Sequence, residues 1–241
     1  MTHLVTSIRE RYLQTLERIA AAARAAGRDP SGVRLVVVTK SQPLEVVQAA
    51  LEAGVKTLGE NYPEEGVMKI QSLGLQSDVE WHMIGHVQSR KAKLVTGHFN
   101  LMHSLDGSKL AGRLDRCAAE LGIRQQVLLE FNVGGEQTKY GWPARDEAAW
   151  DELLPQLTSV LVLAHLDVRG LMTMPPIGET AESARPFFQK LRRLKEFLGR
   201  HFPQADLSEL SMGTSADYKI AVQEGATLVR VGTAIVGPRP N

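Results

Sequence analysis

The feature that most constrains the fold is an alternation of short apolar segments with amphipathic ones along the whole chain. The first apolar segment, Val33–Lys40, is rich in β-branched residues and ends in a lysine. A run this short and this apolar is typical of a strand buried on both faces, as in a parallel sheet. Seven more segments have a strand-like pattern: Thr57–Gly59, Glu80–Gly85, Phe99–Leu105, Gln126–Val133, Leu166–Thr173, Leu207–Met212 and Thr227–Val231.

Helical patterns separate these strands. After the first strand, Pro43 and Glu45 suit the start of a helix and Gly54 suits its end. An apolar stripe between Val5 and Ala23 predicts one more helix ahead of the first strand. The remaining helices are predicted within Pro63–Leu73, Gln88–Val95, Ser108–Leu121, Asp146–Leu157, Thr180–His201 and Ser215–Glu224.

Eight such alternations, with no linker rich in Pro, Gly or Ser between them, predict an α/β fold of one domain. We expect a single (β/α)8 TIM-type barrel over residues 1–241 with an extra N-terminal helix. The alternative is an open doubly wound sheet. The turn after Thr39 lacks the glycines of a phosphate-binding loop, which favours the barrel.

Composition narrows the function classes. The chain has 28 basic and 27 acidic residues, so its charge of +1 attracts neither nucleic acid nor an anionic membrane. No apolar run approaches the roughly 20 residues of a membrane span, the charged first residues do not resemble an export signal, and Cys117 has no internal disulfide partner. We expect a cytoplasmic monomer that acts on a small molecule, without a metal site.

Functional groups of such barrels lie at the carboxyl ends of the strands. Lys40 ends the first strand and Asn61 follows the second. The loop Ser211–Ser215 and the pair Gly232–Thr233 follow the last two strands, where small residues free backbone N–H groups for a phosphate. Taken alone, the loop is better explained as a helix cap in which Thr214 pairs with Asp217. The second Gly-Thr loop beside it favours phosphate.

A lysine across the barrel mouth from a phosphate site suggests a Schiff base with a phosphorylated aldehyde. Burial would lower the pKa of Lys40 and supply the neutral amine. Both a sugar phosphate and pyridoxal phosphate fit this pattern. Arg230 lies two residues before Gly232 and so faces the same side, where it could meet a pyridine nitrogen. A buried ion-pair partner is an equally good interpretation of Arg230.

Six segments of the chain resemble the pyridoxal phosphate homeostasis proteins (the YggS/PROSC family). The resemblance runs over nearly the whole length and implies a barrel similar to the N-terminal domain of alanine racemase. The segments are VVVTK, GENY, WHMIGHVQSRK, FNVGGEQTKYGW, GLMTMPP and SMGTSADYKIAVQEGATLVRVGTAIVG.

The resemblance also implies roles for individual residues. By similarity Lys40 carries the internal aldimine, Arg230 faces the pyridine nitrogen and Asn61 lies near the ring. Phosphate binding is implied for Ser211, Gly213, Gly232 and Thr233. Three residues depart from the family pattern, all near the mouth loops: His86 replaces a proline, Arg90 an asparagine and Thr214 a methionine.

Chemistry narrows what the bound cofactor would do. Carbanion chemistry works best when a carboxylate keeps the ring nitrogen protonated, and an arginine leaves it unprotonated. The chain ends at Asn241, so we expect it to lack the second domain of alanine racemases. We therefore expect a protein of vitamin B6 homeostasis that stores pyridoxal phosphate and delivers it to apo-enzymes, with little or no turnover. A lone-barrel amino-acid racemase is the second hypothesis and a sugar-phosphate aldolase the third.

Other polar residues near the strand ends have plainer interpretations. Asn132 and Glu136 are expected to order their own loop, and Lys139 is more often solvated than a site for an aldehyde. His82 and His86 do not share a face on a strand, so we expect one core histidine and one surface histidine.

Overall fold

The barrel closes through parallel pairing of eight strands. The computed structural model describes residues 2–74, 78–176 and 178–239. The strands within them are β1 (Arg34–Val38), β2 (Thr57–Glu60), β3 (Glu80–Met83), β4 (Leu101–Leu105), β5 (Gln125–Asn132), β6 (Trp142–Pro143), β7 (Leu166–Met172), β8 (Glu209–Ser211) and β9 (Leu228–Val231). The strand order around the barrel is β4-β3-β2-β1-β9-β8-β7-β5, with β5 pairing back to β4. The predicted TIM-type fold is confirmed.

The helices surround this barrel. Within the described residues, short 3-10 helices accompany them at Pro30–Gly32, Ser89–Lys91, Glu147–Leu153 and Ala181–Ala184. The α-helices are α1 (Thr2–Ala25), α2 (Leu44–Glu52), α3 (Pro63–Leu73), α4 (Ala92–Val95), α5 (Ser108–Leu121), α6 (Leu154–Leu161), α7 (Arg185–His201), α8 (Tyr218–Gln223) and α9 (Thr233–Val236).

Several helix boundaries differ from the prediction, and the start of α7 at Arg185, after the 3-10 helix Ala181–Ala184, is one of them. The helix expected within Asp146–Leu157 is instead a 3-10 helix followed by α6, which begins beside Pro155 because proline suits the first helical turn. The helix expected from Ser215 begins only at Tyr218, because a turn closed by Asp217 occupies the residues before it. The short strand β6, which pairs with the end of β5, was not predicted.

Side chains alternate between two cores. Residues that point outward from the strands pack against the helices, and Val37, Leu129 and Val231 belong to this larger cluster. Residues that point inward fill the barrel, where Val36, Leu101, Leu128, Met172 and Leu228 form a separate apolar cluster. This inner cluster fills the barrel below the carboxyl ends of the strands, where the functional groups of such barrels lie.

The N-terminal helix packs on the outside of the barrel. It contacts α2 and α8, and buries Ile8, Ile19 and Ala23. Arg28, just beyond it, donates from Nη2 to the carbonyl of Ala226 at 2.9 Å. None of the helices in the described ranges is long and apolar enough to cross a membrane.

A close backbone contact between two strand ends predicts an intolerant glycine. A Cβ on Gly85 would lie 2.3 Å from the carbonyl oxygen of Asn61, so Gly85→Ala forces the backbone to move. We expect it to lower the free energy of unfolding by about 2 kcal/mol, measured by urea denaturation. The matched control is Gly112→Ala in α5, where a Cβ meets nothing within 4 Å. The control should raise stability by up to about 1 kcal/mol, and equal effects of the two changes would contradict the prediction.

Candidate functional site

A cavity of about 420 Å³ opens at the carboxyl ends of the strands. Five of the residues singled out from the sequence line it: Lys40, Asn61, Arg230, Gly232 and Thr233. The remaining wall residues come from β1, β5 and β7 and from the loops that follow the strands: Val38, Ile84, Gly85, His86, Glu130, Tyr140, Met172, Met174, Thr214, Ser215, Ala216 and Arg239.

Two predicted residues lie behind this wall. Ser211 is fully buried, and its hydroxyl contacts Arg230 and His103 inside the barrel. Gly213 has a φ of +95°, and a Cβ there would lie 2.5 Å from the Cβ of Ala221, so the turn into α8 requires glycine. The phosphate contacts implied for these two residues stay predictions.

Contacts on both sides of Lys40 fix its backbone. Lys69 Nζ donates to the carbonyl of Thr39 at 2.8 Å, and the N–H of Ser41 donates to Glu65 Oε1 at 2.7 Å. Ser41 has a φ of 57°, the one left-handed non-glycine residue in the described parts of the chain. The neighbouring contacts therefore hold a conformation that a serine would otherwise avoid.

A buried cluster of charges supplies these contacts. Lys69 Nζ lies 2.9 Å from Glu60 Oε1 and 2.5 Å from Glu65 Oε1, and Thr39 Oγ1 donates to Glu60 Oε1 at 2.6 Å. Burial raises the pKa of Glu60, and the ammonium of Lys69 opposes this shift. Removal of Lys69 would leave the carboxylate of Glu60 buried without its counter-ion, so the cluster is costly to break.

Lys40 itself is half-buried at the edge of the cavity. Burial lowers its pKa, the positive charges of Arg239 and Arg230 lower it further, and Glu60 opposes them. A larger fraction of the amine is therefore neutral at a given pH than for a lysine in water. A neutral amine is the form that attacks a carbonyl carbon.

Arg230 is buried with neutral acceptors around it. Its guanidinium donates to Ser211 Oγ, to the carbonyl of Thr173 at 3.0 Å and to Met174 Sδ at 2.9 Å. Burial lowers the pKa of Arg230 to about 10, and the nearby Glu130 opposes this shift. The side chain thus keeps its positive charge at neutral pH and can direct it into the cavity.

Glu130 is a wall residue that the sequence patterns did not reveal. Burial raises its pKa to about 7, the charge of Asp106 adds to this, and Arg230 opposes it. The signal was a lone carboxylate in the apolar strand QVLLEFNV, two residues beyond the inward-facing Leu128. A carboxyl group half-protonated near pH 7 is able to donate or accept a proton at this wall.

His86 also belongs to the site. Its ring stacks on Tyr140 with the centroids 3.5 Å apart, and its Nδ1 lies 2.9 Å from Asp106 Oδ2. The expectation of one core and one surface histidine is confirmed, because His82 is buried and His86 is exposed, at the rim of the cavity. Together His86 and Tyr140 form an aromatic wall of the cavity.

The loops after β8 and β9 present unused backbone donors. The N–H and hydroxyl of Thr214 donate to Asp217 Oδ1 at 2.6 and 3.0 Å, so the capping contact forms. The N–H groups of Ser215, Ala216 and Thr233 make no hydrogen bond to another described residue, although these residues line the cavity. Such a set of free donors suits a phosphate, so the capping contact is compatible with a phosphate site here, which stays a prediction.

The polar residues after β5 hold their own loop. Asn132 Nδ2 donates to the carbonyl of Glu136 at 2.8 Å, and its Oδ1 accepts from Gly135 N–H at 2.8 Å. Lys139 pairs with Glu136 and donates to the carbonyl of Pro175 at 2.7 Å, which ties this loop to the one after β7. In the part of the chain described, no three His, Cys, Asp or Glu side chains are grouped to hold a metal ion.

The chain was compared with protein families and with curated sequences. Residues 12–240 match the family model described as the alanine racemase N-terminal domain. A pyridoxal phosphate homeostasis protein from Aquifex aeolicus (strain VF5) is 41% identical over 230 residues, which are 95% of this chain and 97% of that protein. The protein of the same name from Escherichia coli (strain K12) is 37% identical over 239 residues, 98% of each chain.

Solved structures give the same picture. PipY of Synechococcus elongatus PCC7942, with PLP bound, is 37% identical with a TM-score of 0.77, covering 92% of this chain and 99% of PipY. Alanine racemase of Clostridium difficile 630 has a TM-score of 0.67 at 15% identity, and the match covers 98% of this chain but 58% of the racemase. The second similarity is one of fold alone.

The raised pKa of Glu130 predicts how stability depends on pH. Between pH 4.5 and about 7 the native protein keeps a proton on Glu130 that the unfolded chain has released. The contribution of this group to stability is therefore present at low pH and is lost as pH rises, by about 3 kcal/mol at most.

Urea unfolding of the wild type and of Glu130→Gln at pH 4.5, 6 and 7.5 measures this contribution. The wild type should lose stability relative to the variant across this range, because the amide does not titrate. Parallel profiles for the two proteins would show that Glu130 titrates normally.

Proposed function

The chain belongs to the family of the pyridoxal phosphate homeostasis proteins, which share the barrel of the alanine racemase N-terminal domain, and on this premise we propose that it stores pyridoxal phosphate as an aldimine of Lys40 and delivers it. The observation that carries the proposal is the meeting of three groups around one cavity. They are the half-buried amine of Lys40, the cationic Arg230 and the free N–H groups after β8 and β9.

Each of these groups has a separate task in the proposal. When bound, pyridoxal phosphate supplies an aldehyde and an electron-withdrawing ring. The neutral amine of Lys40 adds to the aldehyde carbon, and water leaves as the C=N bond forms. The N–H groups of Ser215, Ala216 and Thr233 bind the phosphate, and the positive charges of Arg230 and Arg239 favour a dianion in the cavity.

Arg230 favours storage over turnover. A guanidinium has only N–H donors and keeps its proton, so it meets a ring nitrogen as a donor and leaves that nitrogen unprotonated. The ring then withdraws electrons less strongly, which slows carbanion chemistry. The linkage to Lys40 stays reversible, and the proposed recipients are apo-enzymes of the cytoplasm that require the cofactor.

One observation favours a second candidate, an amino-acid racemase. Racemisation needs two acid–base groups at one substrate carbon, and Lys40 and Tyr140 line the same cavity. A loss of chirality of alanine that is abolished by Lys40→Ala would favour the racemase over the storage protein.

The attachment site is tested directly by reduction. The protein incubated with pyridoxal phosphate should show a visible absorption band, and borohydride should fix the adduct on Lys40, as located by peptide mass mapping. Lys40→Ala should lose the band and the adduct. The control Lys219→Ala, an exposed lysine of α8, should keep both. An adduct that maps to another lysine would refute the assignment.

Delivery is tested with a scavenger of free cofactor. We expect the loaded protein to restore activity to the apo form of a pyridoxal-phosphate-dependent enzyme even when a phosphatase destroys cofactor in solution. The borohydride-reduced protein is the matched control, because its cofactor cannot leave. Restoration that stops when the phosphatase is present would mean release without delivery.

A further inference from the structure

A column of polar side chains runs along the axis of the barrel, below the cavity. Ser211 Oγ lies 2.7 Å from His103 Nδ1, and His103 Nε2 lies 3.0 Å from His82 Nδ1. His82 Nε2 lies 3.4 Å from Glu80 Oε2, at the opposite end of the barrel. We call Glu80, His82, His103 and Ser211 the axial chain.

The axial chain connects solvent to Arg230. The side chain of Glu80 is 46% exposed and pairs with Arg34 at 3.4 Å, whereas His82, His103 and Ser211 are almost completely buried. At its inner end Ser211 accepts from the guanidinium of Arg230. In the described part of the chain, this column shares the barrel interior with the inner apolar cluster of Val36, Leu101, Leu128, Met172 and Leu228.

The donors of the axial chain must all point the same way. The guanidinium can only donate and the Glu80 carboxylate can only accept, which fixes the two ends. Ser211 accepts from Arg230 and has one proton left, which goes to His103 Nδ1. His103 then carries its proton on Nε2 and donates to His82 Nδ1, and His82 donates from Nε2 toward Glu80.

The opposite arrangement of donors would leave an unfavourable contact at each end of the axial chain. If His103 carried its proton on Nδ1, His82 would have to donate from Nδ1, and its bare Nε2 would face the carboxylate of Glu80. Ser211 would meanwhile have a hydroxyl proton without an acceptor in the chain. Burial lowers the pKa of both histidines, that of His103 most strongly, so neither is charged and the tautomer argument applies to each.

From this geometry we propose that the axial chain positions Arg230. Glu80 sets the histidine tautomers, the tautomers turn the lone pairs of Ser211 toward the guanidinium, and the guanidinium is held in the direction of the cavity. Glu80, His82 and His103 are therefore positioning residues that act through Ser211. The inference rests on the proposed function only in its last step, where Arg230 meets the ring nitrogen of the cofactor.

The test compares two carboxylates at the same end of the barrel. Glu80 and Glu209 both pair with Arg34, the latter at 2.7 Å, but only Glu80 contacts His82. Glu80→Gln keeps the size of the side chain, and its amide can accept or donate, so it no longer fixes the direction. Glu209→Gln removes the other carboxylate that pairs with Arg34 and leaves every hydrogen bond of the axial chain in place.

The first measurement uses the protein without cofactor at pH 7.5. Side-chain ¹⁵N–¹H spectra should show both His82 and His103 protonated on Nε2 in the wild type. Glu80→Gln should shift these signals and the Nε–H signal of Arg230, and Glu209→Gln should shift none of them. A wild-type His103 protonated on Nδ1, or an Arg230 signal that ignores Glu80→Gln, would overturn the proposal.

The second measurement uses pyridoxal phosphate labelled with ¹⁵N in its ring. We expect Glu80→Gln to shift the ring nitrogen signal and Glu209→Gln to leave it in place, although both variants unfold at similar urea concentrations. An unshifted signal in both variants would overturn the last step. Failure of the wild type to bind the cofactor would overturn the proposed function, and the spectra without cofactor would still decide whether the axial chain positions Arg230.

Discussion

The parallel pairing of β1 with β9 is the contact on which the site depends. It closes the barrel with Val36 opposite Arg230, so the chain's first strand and its last strand deliver their ends to one place. Gly232 passes so close to β1 that a Cβ would lie 3.1 Å from the carbonyl of Val38. Two residues later Lys40 reaches the cavity. A shift of this register by one residue would turn Arg230 out of the barrel and separate it from the lysine.

Around this contact the cavity balances charges of both signs. Lys40, Arg230 and Arg239 make it attractive to an anion, and their mutual repulsion contributes to the lowered pKa of Lys40. Glu130 and Asp106 supply the negative charges, and the repulsion between them contributes to the raised pKa of Glu130. A dianion among these cations would relieve their repulsion, so the electrostatics of the cavity favour an anionic ligand.

The sequence predicted the barrel well, because strands and helices depend on residues a few positions apart. It also placed Lys40 and Arg230 at the right ends of their strands. It did not reveal the interior contacts, because these depend on the stagger of the strands around the closed barrel. His103 contacts Ser211, which lies 108 residues later in the chain, and no local sequence pattern predicts that contact. A polar residue inside an otherwise apolar strand, such as His103 or Glu130, was the available signal.

The buried charges of Lys69, Glu60 and Glu65 matter more for the position of Lys40 than for the stability of the fold. An apolar pair of similar size in place of Lys69 and Glu60 would stabilise the fold about as well, because the desolvation cost of burying two charges offsets much of the attraction between them. An apolar pair could not donate to the carbonyl of Thr39. Nor could it orient the Glu65 carboxylate that accepts from Ser41. The charges therefore act mainly on the backbone at either side of Lys40, and they direct its amine into the cavity.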